Sequence, residues 1–173
     1  MNLFDALCHS FGTMATGGFS TQNDSITGYS PFIQYVIIVF MFLAGMNFTL
    51  HYFFMHRKFS KLRGNEEFKY YTILILFMGL LLGGLLYGFH GTGIESSFRD
   101  GLFQVTSIVT TTGFITTDYL SWQPFIWFLL FALMFTGGCA GSTGGGMKSI
   151  RSLLMIKSSY TELKRLVHPR AYI

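Results

Sequence analysis

Gly101 to Thr116 reads GLFQVTSIVTTTGFIT, an amphipathic stretch that closes on three threonines, a glycine and a phenylalanine. With Ser96, Ser97, Arg99 and Asp100 just before it, the stretch is too short and too polar to cross a bilayer, which takes roughly 20 apolar residues as a helix. Yet an apolar run begins a few residues later, at Pro124. The same arrangement occurs once before: Ala6 to Thr21 reads ALCHSFGTMATGGFST, and an apolar run follows from Pro31. At an offset of 95 residues, Leu7/Leu102, Thr16/Thr111, Gly18/Gly113, Phe19/Phe114 and Thr21/Thr116 coincide. After a two-residue gap the match continues, Pro31-Phe32-Ile33 with Pro124-Phe125-Ile126, Met41-Phe42 with Met134-Phe135, and Gly45 with Gly138. This is an internal repeat. Its unit is a short amphipathic helix, a Thr/Gly loop and a long apolar helix.

Composition sets the medium. Of 173 residues, 50% are hydrophobic, 18% aromatic and only 12% charged, against about 25% charged in soluble domains. Mean hydropathy is +0.45. Three runs lack Asp, Glu, Lys and Arg altogether: Ser25 to His56, Tyr70 to Ile94, and Tyr119 to Met147. Each is long enough to cross a bilayer, and the remaining sequence holds too little charge to bury all three beneath a soluble surface. The composition therefore describes an integral membrane protein. It excludes a disordered chain, a coiled coil and a disulfide-stapled secreted domain. Cys8 and Cys139 lack the spacing of a zinc or redox motif, and Met1 to Ala6 has no basic start of the kind a signal peptide carries.

Eleven of the twelve Lys and Arg fall in two clusters, Arg57 to Lys69 and Lys148 to Arg170. The positive-inside rule puts both in the cytoplasm, so the net charge of +4 is an orientation signal and not a nucleic-acid patch. The run from Tyr70 to Tyr87 then leads outward and the run from Pro124 leads back. Gly88 to Gln123 and Met1 to Ser30 lie outside, and a first helix over Pro31 to Met55 crosses inward.

A half-membrane helix followed by an extended Thr/Gly loop makes a re-entrant pore loop. Irregular backbone at membrane depth is tolerated where it lines a water path or is packed in protein. There its carbonyls can replace the hydration shell of a cation, as in potassium filters. Glycine allows the dihedrals that turn carbonyls inward, and the C-terminal end of the short helix adds negative partial charge. The expected filter residues are Thr16, Gly17 and Gly18 in the first loop and Thr111, Thr112 and Gly113 in the second. Asp24 and Asp118 lie near the expected mouth; a solvated surface carboxylate is the simpler reading of each. The fold expected is an all-α membrane protein built from repeats of membrane helix, re-entrant pore helix with filter loop, and membrane helix.

Gly137 to Lys148, GGCAGSTGGGMK, holds six glycines in twelve residues. At about 1.5 Å per residue a helix from Pro124 has risen only about 20 Å by Thr136. Glycine costs about 1 kcal/mol per position relative to alanine in a helix, so the helix should break inside the membrane, below the filter. The expected gate comprises Gly138, Gly141, Ser142, Thr143, Gly144, Gly145, Gly146 and Lys148. Close packing of small residues between helices is the competing reading. Enzyme readings fail on their residues. Met147 separates Gly146 from Lys148-Ser149 and spoils a phosphate-binding loop. Ser142 is followed by Thr143 rather than glycine, against an intramembrane serine protease. The crossings lack the acids that intramembrane aspartyl chemistry needs. No catalytic or cofactor-binding residues are expected.

The runs GGCAGSTGGGMKSIR, TTTGF and HSFGTMATGGFST resemble the pore-forming subunits of the Trk/Ktr/HKT superfamily of potassium uptake systems, most closely the bacterial Trk type. The resemblance implies four repeats around one pore conducting K⁺, with Gly18 in the second filter and Gly113 in the third, and Gly137 to Gly146 as the gating loop. It also implies a multi-pass place in the bacterial cytoplasmic (inner) membrane. A homodimeric subunit regulated by a cytoplasmic nucleotide-binding ring, facing Lys148, Arg151 and the basic tail, is implied too. On this reading residues 1–56 are a partial repeat, 57–69 a cytoplasmic basic linker, 70–167 a complete repeat, and 168–173 a truncated link to a further repeat. The chain is then the central part of a longer subunit. The alternative is a non-conducting membrane scaffold or assembly subunit whose Thr/Gly loops are mere connections.

Overall fold

A computed structural model of the chain describes residues 1–91 and 93–167. The expected link at 168–173, with His168 and Arg170, lies outside the described residues. Every regular element among those described is helical. In order these are α1 (Leu3–Met14), α2 (Pro31–Ala44), α3 (Phe48–Met55), α4 (Phe59–Gly64), α5 (Glu66–His90), α6 (Ile94–Val109), α7 (Pro124–Leu133) and α8 (Ser149–Val167), with a 3₁₀ turn at Tyr119–Ser121.

Local chemistry sets most of these boundaries. The Asn2 side chain accepts from Asp5 N–H at 2.7 Å, and Asn65 from Phe68 N–H at 2.8 Å, capping α1 and α5. Proline opens both α2 and α7, where its missing N–H costs no helical bond. α5 ends on Gly91 at φ +59°, the left-handed stop that glycine takes without strain. Its 25 residues rise about 37 Å, enough to cross a bilayer.

The expected single crossing from Pro31 to Met55 is corrected. α2 stops at Ala44 and α3 leaves at a bend of 107°. Gly45 and Met46 carry the turn, and Asn47 starts α3 by accepting from Thr49 N–H at 2.8 Å. The crossing from Pro124 also stops early, α7 ending at Leu133, with irregular chain from there to Ser149. Both helices that follow a Thr/Gly loop are therefore broken, and the matched residues Gly45 and Gly138 lie in the two breaks.

The largest helix–helix contact joins α5 to α6. It rests on three glycines: a methyl at Gly101 would stand 2.6 Å from the Gly83 nitrogen, and one at Gly79 would stand 2.7 Å from Leu102. Small residues let the backbones approach, which is how helices associate where lipid removes the hydrophobic incentive. One apolar core ties α5, α6 and α7 through Tyr71, Leu82, Val105, Val109, Ile126 and Leu130. A second gathers Ile26, Ile37, Ile38, Met41, Phe103 and Phe114, bringing α2 against α6.

α1 is turned inside out relative to a soluble helix. Asp5, His9 and Thr13, spaced by four, are buried, while Leu3, Phe4, Leu7 and Phe11 are exposed. A polar stripe facing inward and an apolar one facing outward fit a helix that supports a polar loop inside a membrane. Replacing Gly101 by Ala overpacks the α5–α6 crossing and should cost about 1–3 kcal/mol. Gly84→Ala, with nothing within 4 Å, should not. Thermal unfolding in detergent distinguishes the two.

Candidate filter loops and Gly-rich segment

The two Thr/Gly loops share a backbone as well as a sequence. α1 and α6 end on Ala15 and Thr110 with almost identical dihedrals, φ −80° and ψ −3° against φ −80° and ψ −4°. Thr16 follows at φ +50° and Thr111 at φ +59°; Gly18 lies at φ +66° and Gly113 at φ +86°. The hydrogen bonds also match at the offset of 95. Thr16 N–H donates to Thr13 O at 3.1 Å and Thr111 N–H to Ile108 O at 3.0 Å. Gly17 N–H reaches Gly12 O at 2.8 Å, as Thr112 N–H reaches Ser107 O at 2.9 Å. A β-branched residue at positive φ is an outlier, and here it occurs twice at one place in the repeat. Such strain persists only where the surroundings over-determine it.

Two matched clamps supply part of that constraint. The Thr21 hydroxyl donates to Asp5 Oδ1 at 2.7 Å, and the Thr116 hydroxyl to Asp100 Oδ1 at 3.1 Å. Each ties the far end of a loop back to the helix that precedes it. In the first repeat His9 adds a second tie. Its Nδ1 lies 2.6 Å from the Asp5 carbonyl oxygen, which can only accept, so Nδ1 carries the proton; its Nε2 meets Ser20 Oγ at 2.9 Å. In the second repeat Ser107 Oγ donates to Phe114 O at 2.7 Å, and the hydroxyls of Thr110 and Thr112 lie 2.8 Å apart.

The loops also meet each other. A methyl at Gly18 would collide with the Thr112 carbonyl oxygen. Ile26 N–H donates to Ile115 O at 3.0 Å, and Ile115 N–H to Ser25 Oγ at 3.2 Å. Of the six expected filter residues, Gly18 is thus brought beside Thr112 and Gly113, and the other contacts between the loops run through Ser25, Ile26 and Ile115. Asp24 and Asp118 are exposed, and Asp118 is occupied as the cap of the 3₁₀ turn, accepting from Leu120 N–H at 3.0 Å.

The Gly-rich segment lies against the second loop. Gly145 N–H donates to Thr111 Oγ1 at 2.6 Å, and a methyl at Gly144 would stand 3.0 Å from Thr110 O. The Lys148 ammonium donates to the Gly144 carbonyl. From the other side the segment is held by the α2–α3 break. Cys139 N–H donates to Gly45 O at 2.9 Å, Phe48 N–H to Gly141 O at 3.1 Å, and Asn47 Nδ2 to Ala140 O at 2.5 Å. The Thr143 hydroxyl reaches Ala44 O at 3.2 Å, whereas Ser142 Oγ is buried without a hydrogen-bond partner. Gly138 packs on Gly45, where a methyl would stand 2.9 Å from the Gly45 carbonyl oxygen. Its carbonyl accepts from Ser149 N–H at 3.0 Å, at the start of α8. Gly141 and Gly146, at φ +75° and +68°, supply left-handed turns.

Among the residues outside the expected set that hold this arrangement, three are acidic: Asp5 and Asp100 at the clamps, and Glu67, which reaches the Gly-rich segment from α5. Asp5 and Asp100 obey the same offset of 95 as the loops, one residue before the aligned blocks begin. That spacing is the signal by which they can be found. Glu67 carries no comparable mark in the sequence.

A family model described as a cation transport protein, TrkH, matches residues 1–173. The Trk system potassium uptake protein TrkH of Vibrio parahaemolyticus is 42% identical over 178 residues, covering 99% of this chain and 36% of the relative. The corresponding protein of Escherichia coli K12 is likewise 42% identical over 99% of the chain, and its potassium uptake protein TrkG is 35% identical over the whole chain. The chain thus spans about a third of the length of these relatives. The crystal structure of the potassium transporter TrkH from Vibrio parahaemolyticus superposes with a TM-score of 0.93 over 100% of this chain and 38% of that one. With sequence, fold and repeat in agreement along its full length, the chain belongs to the TrkH family of cation transport proteins.

Proposed function

We propose that this chain forms two filter loops and the gate of a potassium-conducting pore, as the central part of a larger membrane subunit. The observation that carries the reading is the repeated backbone of the two loops. A strained threonine and a left-handed glycine recur at one offset, each pair at the C-terminal end of a short helix. Positive φ at Thr16 and Gly18, but not at Gly17 between them, alternates the hand of the backbone, the kind of alternation that lets successive carbonyls turn to one side. Carbonyls so arranged, at the negative end of a helix, suit a cation shedding its water. Thr16, Gly17, Gly18, Thr111, Thr112 and Gly113 supply those carbonyls, and K⁺ is the transported ion. The names of the relatives as potassium uptake proteins support that choice of ion.

The Gly-rich segment supports the gate. It lies against the second loop with Gly144 beside Thr110, and its small residues Gly138, Gly141, Ser142, Thr143, Gly144, Gly145 and Gly146 end on Lys148, whose ammonium holds the Gly144 carbonyl. The subunit sits in the bacterial cytoplasmic membrane, pairs as a homodimer, and is regulated from the cytoplasmic side by a nucleotide-binding partner that meets α8. It moves ions without covalent chemistry. Phe19, 82% exposed, supports additional repeats beside α1, because Phe114 at the matched position is fully buried between the two repeats.

Rubidium uptake by potassium-starved cells expressing the subunit that carries this chain tests the filter. A side chain at left-handed φ costs about 1–2 kcal/mol, and about 1.4 kcal/mol is a factor of ten. Gly113→Ser should therefore lower uptake or the K⁺ over Na⁺ preference by about tenfold, and Gly18→Ser, which also strikes Thr112, by more. Unchanged uptake and selectivity in both variants rules out the filter. Thr116→Val leaves Asp100 without its clamp, at a cost of about 1–3 kcal/mol. It should erode K⁺ over Na⁺ preference while the protein still reaches the membrane. Deleting Gly141 to Gly146 should raise conductance; no change favours a packing role for the segment.

A further inference from the structure

Glu67 is an acidic residue in the first turn of α5, where a carboxylate ordinarily sits in solvent and favours the helix N-terminus. Its neighbour Glu66 does so, exposed and paired with the equally exposed Lys157 of α8. Glu67 is different. It is only 8% exposed, and its Oε1 accepts two backbone hydrogen bonds from the far side of the repeat. One comes from Ala140 N–H at 2.6 Å, the other from Ile150 N–H at 3.2 Å.

Those two donors bracket the Gly-rich segment. Ala140 stands before its left-handed turn at Gly141, and Ile150 lies in the first turn of α8, just past Lys148. Neither N–H has a helical partner, since the first amides of α8 and the amides of a broken helix are orphans that need acceptors. A single oxygen from a different helix serves both. Capping of α8 alone would need only the Ile150 bond. The shorter bond to Ala140 is the one that capping leaves unexplained. Together they fix the separation of the segment's two ends, so that the glycines between them are held against Thr110 and Thr111. A carboxylate accepting from backbone N–H groups makes charge-assisted bonds, about twice as strong as neutral ones.

We propose that Glu67 is the positioning residue that latches the Gly-rich segment beneath the filter, so that opening requires its two backbone bonds to break. The inference rests on the reading of Gly137 to Gly146 as a gate. Glu67 acts through Ala140 and Ile150.

Single-channel recording from the subunit carrying this chain separates the latch from a general structural role. E67A should raise open probability by about tenfold or more, the equivalent of about one net hydrogen bond to a charged group. Unitary conductance and K⁺ over Na⁺ preference should stay unchanged. E67Q, which keeps an acceptor but not the charge, should fall between wild type and E67A. E66Q, at the exposed pair, should behave as wild type. Open probability that is unchanged or lowered in E67A, at wild-type abundance in the membrane, overturns the latch. Should E67A fail to fold, amide hydrogen exchange over Gly137 to Ile150 in E67Q decides. Exchange faster by about tenfold supports the latch, and unaltered exchange overturns it. Deletion of Gly141 to Gly146 is the accompanying control. Activation by the deletion but not by E67A removes the latch alone; activation by neither removes the gate reading with it.

Discussion

A helix that breaks inside a bilayer frees peptide groups that water cannot reach, and each unsatisfied group there costs several kcal/mol. The chain breaks two such helices, and it meets the cost by setting one break against the other. Gly45 O accepts from Cys139, Gly141 O from Phe48, and Ala140 O from Asn47. Ala44 O, at the end of α2, takes the Thr143 hydroxyl. Neither break is satisfied alone. The pairing demands that backbones touch, which is why Gly138 lies on the Gly45 carbonyl and why Gly45 in turn has no room for a methyl beside Tyr71 and Thr110. Tyr71 then closes the arrangement from α5 by donating to Phe42 O at 3.0 Å. The bend in α2–α3, the irregular stretch after α7 and the placement of α5 are consequences of one rule about orphaned peptides.

The same rule governs the Thr/Gly loops, with a different solution. Here the peptide groups are held by turns on their own helices, Gly17 to Gly12 and Thr112 to Ser107, and the strain of Thr16 and Thr111 is held by clamps from Asp5 and Asp100. The carbonyls of Thr16 to Gly18 and of Thr111 to Gly113 accept none of the hydrogen bonds made among the described residues. In the Gly-rich segment many carbonyls already accept: Gly137 from Ser149 Oγ at 2.6 Å, Gly138 from Ser149 N–H, Cys139 from Ser142 N–H, Ala140 from Asn47, Gly141 from Phe48 N–H and Gly144 from Lys148.

The sequence was legible wherever one residue type answers to one constraint. Charge-free runs located α5, paired prolines located the starts of α2 and α7, and the Thr/Gly offset located both loops with their shared backbone. Twelve residues holding six glycines announced a broken helix. The α2–α3 break was not legible, because Gly45 stands alone in an apolar run that continues through Phe48 to Met55, and the groups that stabilise the bend lie some 93 residues away in sequence. Glu67 was hidden for a related reason. Beside Glu66, at a helix start next to a basic cluster, it has the local chemistry of a solvated cap, and only the tertiary position of Ala140 distinguishes it. Asp5 and Asp100 stood between these cases, visible in the repeat but unremarkable one at a time.

One departure from the repeat carries its own argument. Phe19 and Phe114 occupy matched places after matched glycines, yet Phe114 is wholly buried and Phe19 is among the most exposed residues of the chain. The difference lies in what each ring meets. Phe114 packs in a core made largely by the other repeat, with Ile26, Ile37, Ile38 and Met41, and its ring lies 5.7 Å from that of His9. The seat of the loop phenylalanine Phe114 is therefore built largely by the neighbouring repeat. If the repeats are arranged around a pore by one common operation, Phe19 requires an equivalent seat on the next repeat round. A ring locked in this way fixes the height of each loop against its neighbour. On the filter reading proposed above, that alignment is what would let carbonyls from separate repeats stand level around one ion.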